Sequence, residues 1–212
     1  MKRTRPDADD AWTKAERKLL DRLKTPMAIQ CFLEGAEYSA ESTYRSPRQV
    51  LHDCCAHCTD GALFAAAALR RLGDPPLIMD LRAVRDDDHL VAVFRRDGRL
   101  GAVAKSNFSG LRYREPVYRS LRELAMSYFD GFFNVEGERT LREYSALFSL
   151  ARFDRLHWMT DTVCLDYVIT RLDASRHYPI APRRIIAKFE KVDERSYRAG
   201  MLGVKEEGLW RP

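Results

Sequence analysis

The sequence predicts an α+β fold built around one buried helix and an antiparallel hairpin. Three observations carry this. Every residue from Ala62 to Leu69 is apolar, the composition of a helix buried on nearly every side. Arg96-Asp97-Gly98-Arg99 separates two apolar runs, and Asp-Gly in that setting is the strongest short hairpin signal. Segments with helical spacing and capping residues precede and follow this pair.

Taken in order, Asp9 or Asp10 is placed to cap a first helix with Trp12, Ala15, Leu19, Leu20 and Leu23 at the helical period. Thr25-Pro26 restarts a helix that sets Ile29, Phe32, Leu33 and Ala36 on one face. Ser46-Pro47-Arg48-Gln49 has the form of a capping box, with Val50 and Leu51 on the short helix it opens. The central helix starts at Cys58, and Gly73 with Pro75-Pro76 stops it. Strands are predicted from Leu77 to Val84, from His89 to Phe94 and from Leu100 to Ala104. If Asp97 and Gly98 form the turn, Arg96 pairs with Arg99, and His89 falls opposite Ser106. A one-residue bulge places Asn107 there instead.

The stretch from Arg112 to Arg119 reads as a loop or an edge segment. Ser120-Leu121-Arg122-Glu123 and Thr140-Leu141-Arg142-Glu143 both look like capping boxes that open helices. A further helix is expected from Leu156 to Arg176, and the charged tail beyond Pro182 has no assigned element. The expected organisation is a core over residues 1–150, N-terminal helices included, and a helical C-terminal extension over 151–212 packed on the same domain.

A chain of 212 residues with 45% hydrophobic and 10% aromatic residues can bury a sizeable core without covalent staples. The net charge of +5 is spread along the chain and mostly arginine, which reads as solvated surface; with no nucleic-acid motif beside it, nucleic acid is not an expected partner. The N-terminus lacks the apolar stretch of a signal peptide, and no window approaches a membrane span. Five cysteines, three of them within 54–58, do not form an extracellular disulfide framework. The expectation is a cytoplasmic protein with reduced thiols, no membrane partner and an oligomeric state that the sequence does not specify.

Cys58 carries the chemistry. A thiol at a helix N-terminus faces unpaired N–H groups and a partial positive charge, which favour the thiolate. Its own backbone N–H is placed to donate to an oxyanion. Cysteine alone is more often a buried structural residue, and a lone histidine opening a strand is more often a satisfied sheet residue. Together, Cys58 and His89 come in the order that a nucleophile and its general base require, and Ser106 or Asn107 falls where an orienting group belongs. His52, Cys54, Cys55, His57 and Cys58 lie too close in sequence for the two separated ligand pairs of structural zinc. Cys55-Ala56-His57-Cys58 lacks the preceding strand of a thioredoxin-like site, although a reversible Cys55–Cys58 disulfide is an open reading. No metal or cofactor is expected. Lys105 reads as solvent-exposed, and His157 and His177, without a partner pattern, as structural or exposed.

The run Pro47-Arg48-Gln49-Val50-Leu51, then Cys58-Thr59-Asp60-Gly61-Ala62, then Leu69-Arg70-Arg71-Leu72-Gly73-Asp74-Pro75 resembles the transglutaminase-like superfamily, and His89-Leu90-Val91-Ala92-Val93 is similar to its histidine strand. The resemblance spans roughly residues 27–107. It implies a papain-like fold with the cysteine helix packed on an antiparallel sheet. It also implies thiol-dependent acyl transfer on a peptide, protein or small amide, ending in hydrolysis or transfer to an amine. The chain departs from the family in lacking the aspartate after the histidine strand, where Gly101-Ala102-Val103-Ala104-Lys105-Ser106-Asn107 stands. Asn107 is the first choice for the orienting role, as in papain-type sites, and Ser106 the second. The alternative is a catalytically silent module that binds a peptide or protein in the same cleft.

Overall fold

A computed structural model describes residues 11–211. Helix α1 (Lys14–Leu20) is capped by Thr13 through a reciprocal box with Glu16. Asp9 and Asp10, the expected caps, lie outside the described residues. Thr25 caps α2 (Pro26–Gly35), where Pro26 occupies a position whose N–H would be unpaired in any case. Strand β1 (Glu37–Tyr38) precedes α3 (Pro47–Asp53), which opens on the predicted Ser46–Gln49 box. Cys54 ends α3 in the left-handed region (φ 49°), turning the chain into β2 (Cys55–Ala56), the parallel partner of β1.

Helix α4 (Cys58–Arg71) is the central one, and its residues from Ala62 to Leu69 are all buried. Full burial of a Leu or Phe side chain contributes roughly 1.5–3 kcal/mol. Packing of Leu63, Phe64 and Leu69 therefore outweighs any helix propensity in holding α4 in place. Strands β3 (Leu77–Ala83), β4 (His89–Arg96) and β5 (Arg99–Val103) follow. Asp97 (φ 47°) and Gly98 (φ 76°) both adopt positive φ, as a two-residue type I′ hairpin requires. The ladder runs from Arg96–Arg99 to Ala92–Val103 in unshifted register. It stops there, so neither Ser106 nor Asn107 pairs with His89.

An edge strand β6 (Arg114–Tyr118) joins β5, and Ser120 caps α5 (Leu121–Met126). Strands β7 (Leu141–Ser145) and β8 (Phe148–Ser149) both pair with β3. Helix α6 (Leu165–Asp173), edge strand β9 (His177–Pro179) and helices α7 (Arg183–Ile186) and α8 (Glu194–Gly200) complete the chain. The sheet order is β6-β5-β4-β3-β7-β9, antiparallel throughout.

Three expectations are corrected. The helix expected after Thr140 is strand β7: the Thr140 hydroxyl donates to Asp86 Oδ2 at 2.6 Å instead of capping, and Leu141 to Ser145 lie between β3 and β9. The single helix expected over Leu156–Arg176 is a 3-10 stretch (Leu150–Leu156), closed by His157 at φ 54°, and then α6. The C-terminal extension is not purely helical, since β9 adds a strand to the sheet.

Strand alternation divides the core. Ile78, Leu90, Ala92, Phe94 and Val103 face α4, whereas Met79, Leu81, Val91 and Val93 pack with Leu124, Tyr128 and Phe132 on the opposite face. Among the described residues, no helix is long and apolar enough to cross a membrane.

Candidate active site

Cys58 is the first residue of α4, and the preceding turn holds it there by side-chain capping. His57 Nδ1 accepts from the Thr59 amide (3.1 Å) and the Asp60 amide (3.4 Å). In return, Asp60 Oδ2 accepts from the His57 amide at 3.2 Å. Its other oxygen accepts from the Arg45 amide at 2.7 Å, tying the loop before α3 to the start of α4. A nitrogen that accepts from two amides carries no proton. Burial, with the Arg45 charge adding to it, pushes the His57 imidazole down to about 4.

The Cys58 thiol donates to the Asp88 carbonyl at 3.6 Å and lies 3.9 Å from the Thr59 hydroxyl. Burial pushes it up to about 11, against the lowering effects of the Leu90 amide and the Thr59 hydroxyl. The depressed thiol pKa anticipated from the helix N-terminus is therefore not the resting condition: desolvation outweighs the donors around the sulfur.

His89 opens β4 and is buried. Its Nε2 lies 2.8 Å from the Leu111 carbonyl oxygen. A carbonyl only accepts, so Nε2 bears the proton and Nδ1 carries the lone pair. The rings of Tyr128 and Phe132 approach edge-on, with centroids 6.2 and 6.3 Å away. Burial holds the imidazole down at about 4, so His89 is neutral in the resting site.

The two groups meet at a small cavity of about 30 Å³ that both line, together with Ser106, Asn107 and Trp210. No hydrogen bond joins the Cys58 sulfur to the His89 ring. The pairing His89–Leu81 turns the ring toward the α5 face, while the sulfur meets the main chain of residues 88–90 from the α4 side. The expected orienting groups are otherwise engaged. Ser106 Oγ accepts from the Phe108 amide at 3.0 Å, and both amide atoms of Asn107 bond the Lys205 main chain at 2.8 Å. The His89 ring is hydrogen-bonded by the Leu111 carbonyl instead. A main-chain acceptor leaves no residue-type signal in a sequence.

Lys105 is not exposed. Its Nζ donates to the carbonyls of Leu33 (2.7 Å) and Ala36 (2.5 Å), closing the C-terminus of α2, where a cation is favoured. All five cysteines are free thiols, Cys54 and Cys55 included. Among the described residues, no three His, Cys, Asp or Glu side chains converge as a metal-ligand set.

On the α4 side, Cys58 opens onto a second cavity of about 490 Å³. Asp80 lines it, fully buried, with Oδ2 2.9 Å from His177 Nε2; His177 Nδ1 is 2.9 Å from the Ser175 carbonyl. The sequence reading missed this pair. Its one local trace is a charged residue inside the apolar strand Leu77-Ile78-Met79-Asp80-Leu81. The C-terminal segment was missed as well: Gly208 and Trp210 line both cavities.

A scan against protein-family models gives no match, and a search of curated proteins finds no related sequence. The resemblance to the transglutaminase-like superfamily rests on the motif residues themselves.

Proposed function

We propose that this protein is a cysteine-dependent acyl-transfer enzyme of transglutaminase-like, papain-like type, with Cys58 as nucleophile and His89 as general base. The observation that carries the reading is the shared cavity: a thiol at the first turn of a buried helix and an imidazole with its lone pair on Nδ1 line the same space. His89 Nδ1 takes the Cys58 proton, and the thiolate attacks an amide or peptide carbonyl. The Cys58 amide is the oxyanion donor, since the next two amides already donate to His57. As the C–N bond breaks, the imidazolium returns its proton to the departing amine, leaving a thioester on Cys58. Water or an amine then attacks the thioester, gives a proton to His89 Nδ1 and releases the acyl group, while the sulfur recovers that proton.

Both groups are neutral at rest, so ionisation accompanies substrate binding. Bringing the thiol and Nδ1 together requires that the sulfur leave the Asp88 carbonyl and that the main chain of residues 88–90 between them shift. One observation favours a second reading, a silent peptide-binding module: the resting thiol donates to a main-chain carbonyl and not to the imidazole.

Acylation of Cys58 by a peptide thioester separates the two. Under the enzyme reading, a peptide thioester leaves an acyl adduct on Cys58 at pH 7–8, and His89→Ala slows formation of that adduct at least several-fold. The absence of an acyl adduct, or acylation at the same rate in both proteins, removes the catalytic reading.

A further inference from the structure

The larger cavity beside Cys58 contrasts with the rest of the molecule. The chain carries a net charge of +5, yet Glu41, Asp80, Asp87, Asp88, Asp173 and Glu207 line this cavity, and no lysine or arginine does. Some of these carboxylates are compensated from behind. Arg45 pairs with Glu41 at 2.8 Å, Arg82 lies 4.0 Å from Asp88, and His177 bonds Asp80. Among the described residues, Asp87, Asp173 and Glu207 have no ion-pair partner.

A cluster of exposed carboxylates is commonly just solvated surface. Asp80 is different. It is fully buried, it lines the cavity, and its second oxygen, Oδ1, is sheltered from solvent with no hydrogen-bond partner. A buried carboxylate oxygen left unpaired is costly unless a donor arrives to meet it. We take the donor to come from the cavity, because Asp80 is one of the residues lining it. Its opening is rimmed by further negative charge, which selects a cation. About 490 Å³ holds a flexible basic side chain with room to spare.

We infer that this cavity is a recognition pocket for a guanidinium or ammonium group, carried on the acyl donor whose carbonyl is presented to Cys58. The cation fills the pocket as a recognition element and not as the attacking amine, because a protonated nitrogen has no lone pair to attack with. A side-chain shift at the base of the pocket uncovers Asp80 Oδ1 to accept from the cation, and Asp87, Asp173 and Glu207 supply field at its mouth. The placement on the acyl donor rests on the catalytic reading above; the pocket itself does not.

Calorimetric binding to the full chain tests the pocket without turnover. Nα-acetyl-arginine amide is compared with its uncharged isostere, Nα-acetyl-citrulline amide, and with spermidine. The arginine amide is expected to bind about tenfold or more tightly than the citrulline amide, the scale of hydrogen bonds to charged groups. Asp173→Asn, at the exposed rim, should weaken it by about two- to five-fold, and Asp80→Asn by more. Binding of the arginine amide should also slow iodoacetamide labelling of Cys58. Equal binding of the charged and uncharged amides, or none of either, overturns the inference, and Asp173→Asn keeps that outcome readable should Asp80→Asn fail to fold. Tighter binding of spermidine than of the arginine amide overturns the assignment to an acyl donor. Retained arginine selectivity in a protein whose acylation by the peptide thioester ignores His89→Ala would sink the chemistry and leave the pocket standing.

Discussion

Asn107 and Lys205, nearly a hundred residues apart, clasp each other through two hydrogen bonds of 2.8 Å: Asn107 Nδ2 donates to the Lys205 carbonyl, and the Lys205 amide donates to Asn107 Oδ1. Lys205 also pairs with Glu37. The clasp sets the following segment against the site, with Gly208 packed so closely that a Cβ there would lie 2.7 Å from the Tyr38 ring. The asparagine that the motif suggests for catalysis thus anchors the C-terminal segment beside the thiol.

The first prediction follows from that clasp. Asn107→Ala removes both hydrogen bonds, costs about 1–3 kcal/mol in a urea titration and loosens the cover over Cys58. Iodoacetamide labelling of Cys58 should become faster. Slower labelling, as loss of an orienting residue would produce, would return Asn107 to the catalytic set.

Protonation of the resting pair makes a second prediction. Burial holds the thiol up at about 11 and the imidazole down at about 4, so the free protein contains a neutral thiol and a neutral ring across the ordinary pH range. The labelling rate of Cys58 without substrate should therefore still be climbing above pH 9, where an ordinary thiol has levelled off. Nitrogen-15 spectra should show His89 protonated on Nε2 alone from pH 8 down to about pH 5. A titration of that ring near 6.5 would contradict the burial described here.

Much of this arrangement was readable in the chain because it is set locally. The hairpin was legible since Asp97-Gly98 meets a demand for two successive positive φ angles, and its register follows by counting. The central helix was legible from eight consecutive apolar residues. The Ser46 box was correct and the Thr140 box was not, although both match the same pattern. A capping pattern states only what a side chain is able to do, and in β7 the pairing with β3 and β9 decided otherwise. The site was legible as far as Cys58 and His89 sharing a cavity. Its remainder depends on contacts that span the chain: Leu111 acts through a main-chain carbonyl, Asp80 and His177 are 97 residues apart, and the covering segment lies beyond position 200.

His57 gives a third prediction, in stability. Its Nδ1 caps α4 only while unprotonated, and its folded value of about 4 lies below the ordinary 6.5. The unfolded chain therefore takes up the proton first. The contribution is fully present above about pH 6.5 and is lost as pH falls toward 4. His57→Ser keeps a capping oxygen and removes the titration. Chemical denaturation should find the serine variant within about 1 kcal/mol of the parent at pH 7.5 and gaining on it steadily down to pH 4.5. A constant difference across that range would mean that the imidazole does not cap.

Gly61 supplies the last prediction. It sits in the first turn of α4, and a Cβ built there would lie 2.3 Å from Lys105 Cβ, far inside any real contact. Lys105 has little freedom to withdraw, because its ammonium closes the last turn of α2 on two carbonyls. Alanine is ordinarily preferred over glycine in a helix by about 1 kcal/mol. Here that gain is set against overpacking, typically about 1–3 kcal/mol, plus the lost α2 contacts if the lysine moves. Gly61→Ala should therefore lower the melting temperature. The companion Gly61→Ala, Lys105→Gly, which removes the obstructing Cβ but also the ammonium, should recover less than the full loss. A melting temperature raised by the single substitution would show that α4 and the chain at Lys105 are not held as closely as described.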